Sequence, residues 1–410
     1  MSKENFDFYR GGARGPSRPP VLWTLPFLTF VLVNLFVFMG FDILLPTLSL
    51  YLEANGNNEA EIGQIFGTFT ISAVLMRMMA SRLASKVDAM WLVRWGLLAC
   101  ALAGGWYYWA YTLPTGMAAR FIHGAGFGLA STLITALASQ IIPPSRMGEG
   151  LGYLGLGTTL ALALGPFFGI WLMDEFGYFI MFMVVAAFYV AAIVVAHLLP
   201  KIKLASAAPG APRPRLVLFS RRVLGPSVLM LLFGLVMSSV TIFMALFCKE
   251  KGLPYAGHFF VLSTIGIFVA RFTTGRIHDR LGHYYVIIPA GIILLASMLL
   301  LYQTESRDSL FIVSLLYGLS TGAIFPSFQA LALSAVPMTG RTEATASLFN
   351  SFDFGIGIGS LALGALASQA GSYSSVYLGG AGAALGLFIF YVIYYLVLHS
   401  PKRTINRETE

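Results

Sequence analysis

Long apolar runs follow one another along the chain, and each is separated from the next by a short polar stretch. A helix rises 1.5 Å per residue, so about 20 apolar residues match the ~30 Å hydrocarbon thickness of a bilayer. The runs are continuously apolar rather than alternating, which favours helices over the strands of a membrane barrel. We predict twelve membrane-spanning helices, at residues 22–48, 60–82, 90–111, 115–142, 148–173, 177–199, 223–248, 256–275, 284–303, 308–336, 343–369 and 374–399.

Composition supports the same class of protein. The chain has 410 residues, of which 57% are hydrophobic and 11% are charged, and its mean hydropathy is +0.77. A soluble domain is about 45–50% apolar and about 25% charged, so a water-soluble fold is excluded. The two cysteines, Cys100 and Cys248, lie in or beside apolar runs and form neither a disulfide framework nor a metal pattern. We interpret them as small hydrophobic side chains that pack between helices.

A stretch rich in Pro, Ala and basic residues, KIKLASAAPGAPRPRLVLFSRR (201–222), divides the predicted spans into two sets of six. The first apolar run, Val21–Leu50, is too long for a cleaved signal peptide and is interpreted as a retained helix. We therefore expect an all-α integral membrane protein with two pseudo-symmetric bundles. Its parts are an N-terminal tail at 1–21, an N-terminal six-helix bundle at 22–200, a linker at 201–222, a C-terminal six-helix bundle at 223–399 and a C-terminal tail at 400–410.

The basic residues predict the orientation in the membrane. Of the 26 Lys and Arg, 22 lie on the side that holds the termini and the linker. The other four are Arg120 inside a span and Lys249, Lys251 and Arg307 on the far side. Cytoplasmic loops carry the excess of Lys and Arg, so both termini are predicted to be cytoplasmic and the chain to lie in the cell membrane. The net charge of +8 follows from this topology and requires no nucleic acid.

The two halves match each other at a constant offset of 194 residues. One unchanged offset across several spans indicates two halves of common ancestry, with a substrate site between them near the middle of the membrane. The matched pairs are Gly40 and Gly234, Arg77 and Arg271, Arg82 and Arg276, Gly124 and Gly318, Gly128 and Gly322, Pro143 and Pro337, Glu149 and Glu343, and Gly165 and Gly359.

Four motifs carry a resemblance to a known family. GRIHDRLGHYY (275–285) is similar to the loop motif Gly-x-x-x-Asp-Arg-x-Gly of the major facilitator superfamily. RFIHGAGFG (120–128) resembles its fourth-helix motif, with His123 where Gln is usual, and ALALGPFFGI (161–170) resembles its fifth-helix antiporter motif. FDILLP (41–46) resembles the first-helix acidic motif of the twelve-span drug:proton antiporters. The resemblance covers essentially the whole chain and implies transport by alternating access.

The resemblance assigns roles to two of these motifs. In the loop motif, Asp279 would accept hydrogen bonds from the start of the fifth span and latch one gating state, although a plain basic turn explains the same residues. The motif residues are Gly275, Asp279, Arg280 and Gly282. Its first-half counterpart has Ser85 in place of Asp279, so that latch is expected to be weak or rebuilt around Asp88. The antiporter-motif residues Gly165, Pro166 and Gly169 would make a tight, bent helix that is typical of exporters.

Three fixed charges lie inside the predicted spans. A charge in hydrocarbon costs at least about 2.5–3.5 kcal/mol on insertion scales, so each should face the protein interior with a partner or a function. Asp42 and Arg120 lie at equal depth, and we expect Asp42 to exchange a proton that Arg120 controls; a permanent ion pair is the alternative. Asp353 is either a second proton or cation site or a buried neutral acid. His123 either titrates near neutrality or replaces the usual Gln as a hydrogen-bonding group.

Other polar and aromatic residues are candidates for a substrate cavity. Aromatic walls with few polar anchors suit bulky amphiphilic ligands, although each ring can equally pack against lipid or a neighbouring helix. Arg77, Arg94 and Arg271 lie near helix ends, where snorkelling to the surface explains them. The candidate cavity residues are Asn34, Phe38, Phe41, His123, Phe325 and Gln329.

The motifs do not indicate an enzymatic or cofactor-binding function. The chain has no phosphate loop of the form Gly-x-x-x-x-Gly-Lys-Ser/Thr. The glycine-rich stretches GIGIGS (355–360) and GAGFG (124–128) lie inside apolar spans rather than after a strand, so they do not indicate a dinucleotide site. We predict no enzymatic activity, no cofactor and no bound metal, and we expect transport to be driven by an ion gradient.

The leading hypothesis is a proton-coupled exporter of small amphiphilic molecules, acting as a monomer with protons, lipid and the substrate as its partners. Within that class the substrate is either a drug or an endogenous opine-type metallophore. The metallophore is included because the stretch 146–169 is similar to exporters that include the staphylopine type. A proton symporter for nutrient uptake shares the fold, but the antiporter motif disfavours it. A membrane receptor or scaffold is the third hypothesis, and it would not require Asp42 and Arg120 to face a cavity.

Overall fold

The computed structural model describes residues 22–143, 146–199, 220–336 and 341–398. The predicted N-terminal tail, nearly all of the linker and the C-terminal tail lie outside these ranges. Helices account for all the regular secondary structure in the described part. They are α1 (Leu25–Ala54), α2 (Glu59–Ala84), α3 (Ala89–Trp106), α4 (Leu113–Ile141), α5 (Met147–Ala196), α6 (Leu224–Thr241), α7 (Met244–Glu250), α8 (Ala256–Leu281), α9 (Tyr284–Tyr302), α10 (Arg307–Ser334), α11 (Arg341–Ala370) and α12 (Ser374–Leu398).

Ten helical segments of the described part are long and apolar enough to cross a membrane, and Ala256–Arg271 of α8 is a shorter apolar segment. The helix α5 is too long for one crossing, because its 50 residues would extend about 75 Å at 1.5 Å per residue. Its backbone leaves the helical conformation at Gly177, where φ is 79° and ψ is 171°. A positive φ is costly for residues with a side chain, so glycine permits this sharp reversal of direction.

The helix predicted over 223–248 is interrupted, and this corrects the prediction from the sequence. Residues 242–243 form a turn between α6 and α7. Just before it, Ser238 Oγ donates to the Leu235 carbonyl (2.7 Å), and Thr241 Oγ1 donates to the Met237 carbonyl (3.0 Å). Hydroxyls that bond to backbone carbonyls compete with the helical ladder and bend helices. A purely apolar pattern could not reveal this break.

The second correction concerns the charged stretch after the eighth apolar run. We predicted a span at 256–275 followed by a turn, but α8 continues as a helix to Leu281. Charged residues can remain helical once they have left the hydrocarbon, so the end of hydrophobicity does not mark the end of the helix. The reversal occurs at Gly282, whose φ of 97° suits a glycine just past a helix C-terminus.

Helices before and after the linker pack in equivalent ways. In the first half α1 packs along α5, α2 along α4, and α3 against α4 and α5. In the second half α6 packs along α11, α8 along α10, and α9 against α10 and α12. The halves meet mainly where α2 lies along α11 and α5 lies along α8, and also where the end of α1 meets α7. A site that uses both halves would lie beside these interfaces.

We call the side where α1 begins and α12 ends the terminal face, and the other side the opposite face. Close contacts between the halves lie toward the opposite face. A Cβ at Gly63, near the start of α2, would come within 2.3 Å of the Ser360 carbonyl oxygen. At the ends of α1 and α7, Lys249 Nζ lies 2.5 Å from Glu53 Oε2. These contacts join the halves firmly at the opposite face.

Candidate functional site

Asp42 lies on α1 where α5 comes closest to it. Its exposed fraction is 3%, and a Cβ at Gly165 would lie only 2.7 Å from the Asp42 Cβ. The Asp42 Oδ2 atom has no hydrogen-bond partner among the described residues. A buried polar atom without a partner costs about 1–3 kcal/mol, and a charged one costs more. In this conformation, carrying a proton would remove the cost of a buried charge on such a group. In another conformation, the group could gain a partner instead.

Arg120 lies on α4 and is the largest fully buried side chain, with an exposed fraction of 1%. Its guanidinium carbon lies 4.1 Å from the centre of the Phe66 ring, 5.2 Å from that of Phe69 and 5.8 Å from that of Tyr107. Ring faces stabilise a cation by about 0.5–2 kcal/mol, and more when water is excluded. The Nε and Nη1 atoms still lack hydrogen-bond partners in the described part of the chain. Arg120 is thus stabilised by aromatic ring faces, while two of its nitrogen atoms have no hydrogen-bond partner among the described residues.

The expected contact between Asp42 and Arg120 is not made. Both side chains are buried in the first half, but no ion pair joins them in the structure, and each keeps at least one buried atom without a partner. Equal depth along the membrane normal permits two residues to pair, but it does not determine the direction in which each side chain leaves its helix. A permanent ion pair, the simpler alternative, is therefore absent from this conformation.

His123 links two tyrosines in the interior of the first half. Its Nδ1 lies 2.9 Å from the Tyr107 hydroxyl and its Nε2 lies 2.8 Å from the Tyr189 hydroxyl. All three side chains are fully buried. The hydrogen-bonding role expected for His123 is present, but the residue does not line the cavity between the halves. The two tyrosines escaped sequence analysis because nothing distinguishes them among the 18 tyrosines of the chain.

A small cavity of about 30 Å³ lies between the two halves. Arg120 and Phe41 line it from the first half, and Asp353 and Ile356 line it from the second. Of the predicted site residues, the structure thus brings Arg120, Phe41 and Asp353 together. The remaining lining residues are Leu45, Phe66, Phe69, Thr70, Ala73 and Ile242.

Asp353 is paired across the interface rather than isolated. Arg77 Nη1 on α2 contacts Asp353 Oδ2 on α11, and the two side chains are 19% and 21% exposed. We expected Arg77 to snorkel toward the membrane surface, so this pairing is a correction. A basic residue close to a helix end can satisfy its charge in either way, and only the packing of α2 along α11 decides between them.

The other predicted cavity residues lie outside this cavity. Asn34 is buried and donates from Nδ2 to the Leu154 carbonyl and to Thr158 Oγ1, both at 3.0 Å, so it ties α1 to α5. Phe38 packs edge-on against Phe127 at 5.3 Å. Phe325 and Gln329 lie on α10 and are partly buried.

The antiporter-motif residues create the close approach of α5 to α1. A Cβ at Gly169 would lie 2.9 Å from the Ile43 carbonyl oxygen, just as one at Gly165 would overlap Asp42. Pro166 lies between them, inside α5. Small residues let two membrane helices approach until their backbones touch. The motif therefore lets the α5 backbone pack directly against the segment of α1 that carries Asp42.

Gly275 and the side chains of Asp279 and Arg280, like most of those at the start of α5, lie outside the described residues. Gly282 is described and ends α8. In the first half, Asp88 Oδ1 accepts a hydrogen bond from the Trp91 backbone N–H at 2.9 Å and caps α3. A carboxylate at a helix N-cap satisfies an otherwise unpaired donor. Asp88 therefore caps its own helix.

The fold and the site together define a multi-pass membrane protein whose two halves enclose a small, mainly apolar cavity that contains Arg120 and Asp353. The profile of the Major Facilitator Superfamily matches residues 30–340 and 254–410. The chain belongs to this superfamily and is a transporter rather than an enzyme. Members of the superfamily bind small-molecule substrates and work in the membrane.

Relatives in sequence are distant. The chain is 23% identical over 157 residues to an uncharacterized MFS-type transporter of Methanocaldococcus jannaschii, covering 38% of this chain and 39% of that protein. It is 23% identical over 137 residues to the quinolone resistance protein NorA of Staphylococcus aureus, covering 33% of this chain and 35% of NorA. The chain thus spans less than half the length of these relatives.

Solved structures show the same fold over most of the chain. A mutant of the nucleoside transporter NupG superposes with a TM-score of 0.77 at 16% identity, covering 90% of this chain and 99% of that one. An inward-facing, unoccupied bacterial homologue of the lysosomal transporter Spinster has a TM-score of 0.71 at 13% identity, covering 92% and 96%. These likenesses establish the fold and not the substrate.

Proposed function

We propose that this chain is a proton-coupled exporter of small amphiphilic molecules, built from twelve membrane-spanning helices in two six-helix bundles. Dividing α5 at Gly177 and joining α6 to α7 gives six spans in each half. We propose a cell-membrane location with both termini cytoplasmic, because the sequence assigns 22 of the 26 basic residues to the side of the membrane that holds the termini and the linker. The chain would act as a monomer surrounded by lipid.

The observation that carries the proposal is a buried carboxyl group with an unpaired oxygen, in the same half as a buried guanidinium with unpaired donors. Uncompensated groups of this kind are costly in a membrane interior and mark ion or proton pathways. Asp42 is therefore proposed as the group that takes and releases the proton. Arg120, at the cavity wall, is proposed to respond to the substrate.

Alternating access follows from where the halves touch. Their close contacts near Gly63 and Lys249 favour a conformation that is closed at the opposite face. Rocking one half on the other would separate α2 from α11 and break the Arg77–Asp353 ion pair. Asp353 is proposed as a second site whose protonation would release Arg77 and permit this movement.

The lining of the cavity favours amphiphilic substrates. Phe41, Phe66 and Phe69 line the cavity together with Arg120 and Asp353, and Asp353 is paired with Arg77. The cavity therefore has an aromatic wall with few polar groups. The resistance named for NorA is consistent with such substrates. A metallophore with several carboxylates would need more cations than Arg120 supplies among the described lining residues. The metallophore hypothesis therefore ranks below drug-like export, and the antiporter motif ranks symport below both.

The proposal can be tested in inverted membrane vesicles that carry a proton gradient. Addition of ethidium or a fluoroquinolone as probes should partly dissipate the gradient in vesicles with the wild-type protein. Asp42→Asn should abolish this response, whereas Asp174→Asn, which alters an exposed acid of the same half, should preserve it. A response that persists in Asp42→Asn would remove Asp42 from the proton-coupling role. Substrate accumulation in the direction of the proton flow would instead favour symport.

A further inference from the structure

Three buried side chains span the space between the two unpaired groups of the first half. Tyr107, His123 and Tyr189 come from three different helical segments and are joined by hydrogen bonds of 2.9 and 2.8 Å. At one end, Tyr107 lies beside Arg120, whose guanidinium carbon is 5.8 Å from its ring. At the other end, the Tyr189 ring contacts α1 at Gly40, and its hydroxyl is within electrostatic range of Asp42. The two hydrogen bonds thus join a tyrosine beside Arg120 to a tyrosine that packs against α1 near Asp42.

The chemistry of this chain allows it to move a proton. A neutral imidazole has one N–H donor and one acceptor nitrogen, and each tyrosine hydroxyl can both donate and accept. With Tyr107 donating to His123 and His123 donating to Tyr189, every hydrogen bond points the same way. When a proton enters at Tyr107, each hydrogen bond reverses and one proton leaves at Tyr189. No group needs to be oxidised or reduced, and no covalent intermediate is formed.

The second half shows that the fold does not need these polar groups. At the offset of 194 residues, Tyr107, His123 and Tyr189 correspond to Leu301, Tyr317 and Ala383. The Tyr317 hydroxyl contacts the Met237 sulfur, and Leu301 is fully buried. Mainly apolar side chains therefore fill the equivalent space, and three hydrogen-bonded polar groups in the membrane interior call for another explanation.

We propose that Tyr107, His123 and Tyr189 carry protons between water in the cavity at Arg120 and the carboxyl group of Asp42. This inference rests on the proposed function, in which Asp42 takes and releases the coupling proton. Asp42 is not among the residues that line the cavity, so the three side chains would supply a route from the cavity to it. Its Oδ2 accepts no hydrogen bond here, so the last transfer takes place in a state that brings Tyr189 and Asp42 together.

Among the described residues, the charged and titratable groups near His123 come from α1, α3, α4, α5 and the turn after α3, whereas α2 faces it with the ring of Phe69. These groups are Arg120 on the same helix, Cys100 on α3 with its Sγ 3.6 Å from the His123 carbonyl oxygen, the two tyrosines, and Asp42 on α1 beyond Tyr189. The fixed positive charge of Arg120 disfavours a lasting imidazolium at His123. A proton therefore passes through the chain and is not stored on the histidine.

The experiment follows protonation of Asp42 directly and needs no substrate. Purified full-length protein in nanodiscs is subjected to a drop in pH, and the carboxylic-acid carbonyl band is followed by time-resolved infrared spectroscopy. The part of the band that is absent in Asp42→Asn reports this residue. Tyr189→Phe and Tyr107→Phe, which each remove one oxygen atom, should slow its appearance by roughly tenfold or more without changing its final size. Tyr377→Phe removes a buried hydroxyl from the second half and should have no effect.

Two further outcomes separate the proton path from the function on which it rests. If Asp42 protonates at the wild-type rate in both tyrosine variants, the path is overturned, while the coupling role of Asp42 stands. If the band shows no Asp42 contribution at any pH, the proposed function itself is overturned. A smaller final band in Tyr189→Phe with an unchanged rate would show that the tyrosine only positions Asp42, and this outcome also rejects the path.

Discussion

The two halves of this transporter share one scaffold but differ in what they bury. The small residues that let helices approach are matched at the 194-residue offset, as with Gly124 and Gly318. The buried ionisable groups are not matched, since Asp42 corresponds to Val236 and Arg120 to Ser314. Helix packing was therefore retained in both halves after duplication, whereas the buried polar chemistry is concentrated in the first.

Among the described residues that line the cavity between the halves, the second half contributes one acid, Asp353. Asp353 corresponds to Thr159, and its partner Arg77 corresponds to Arg271. The interface of α2 with α11 therefore contains an ion pair. At the related interface of α5 with α8, the corresponding positions hold Arg271 and Thr159, so the arginine is present but the acid is not. We therefore propose that the interface of α2 with α11 responds to protonation, whereas that of α5 with α8 does not.

The largest expected effect tests the shared scaffold. A Cβ at Gly318 would lie 1.9 Å from the Ser263 carbonyl oxygen, and one at Gly124 would lie 2.3 Å from the Phe69 carbonyl oxygen. Gly124→Val and Gly318→Val should each destabilise the protein by more than about 3 kcal/mol, because backbone cannot yield as a side chain can. The yield of monodisperse protein in detergent measures this effect.

The control for this prediction is Gly382→Val on α12, where a Cβ would meet no atom within 4 Å. It should leave the yield unchanged. If Gly318→Val were tolerated while Gly124→Val was not, the two halves would not share one packing scaffold.

The next effect tests the chemistry that only the first half has. Arg120→Gln should reduce proton-coupled transport of ethidium by at least roughly tenfold, equivalent to about 1.4 kcal/mol. The melting temperature should stay the same or rise, because a buried cation with unpaired donors is removed. Arg120→Lys should be intermediate, since it keeps the charge but loses the planar group that lies over the rings.

The matched variant is Ser314→Ala at the corresponding position of the second half. Its hydroxyl only donates to the Phe311 carbonyl within the same helix, so transport should be preserved. Equal losses in Arg120→Gln and Ser314→Ala would show that the chemistry is shared between the halves after all.

Much of this asymmetry was visible in the sequence, because a charge stands out in an apolar span. Asp42, Arg120 and Asp353 were found in this way, and the constant offset identified the packing glycines. The partners were not predictable, since Arg77 resembles any snorkelling arginine and Tyr107 resembles any interfacial tyrosine. Pairing depends on the rotation of each helix about its axis, which continuous hydrophobicity leaves undetermined.

A smaller effect tests the ion pair between the halves. Removing either partner should cost about 1.5–3 kcal/mol, because the pair is partly shielded from solvent. In a double-mutant cycle of Arg77→Gln and Asp353→Asn, measured by thermal unfolding in detergent, the two losses should not add. Arg271→Gln combined with Asp353→Asn should be additive, because Arg271 forms no ion pair with Asp353 or any other described residue. Additive losses in the Arg77 cycle would mean that the pair contributes nothing to holding the halves together.

The smallest effect concerns the other ion pair that joins the halves, at the opposite face. Lys249 and Glu53 lie 2.5 Å apart, but the lysine side chain is 56% exposed. Exposed pairs contribute about 0–1 kcal/mol and are screened by salt. Lys249→Gln should therefore lower the melting temperature only slightly at low ionic strength and not at all at high ionic strength, whereas the loss in Asp353→Asn should be much less sensitive to salt.

Lys251→Gln supplies the matched control, since Lys251 lies on the same face and forms no ion pair with a described residue. It should leave the melting temperature unchanged at both salt concentrations. A loss in Lys249→Gln as large as that in Asp353→Asn would place the principal contact between the halves at the opposite face. The protonatable interface of α2 with α11 would then no longer control when the halves separate.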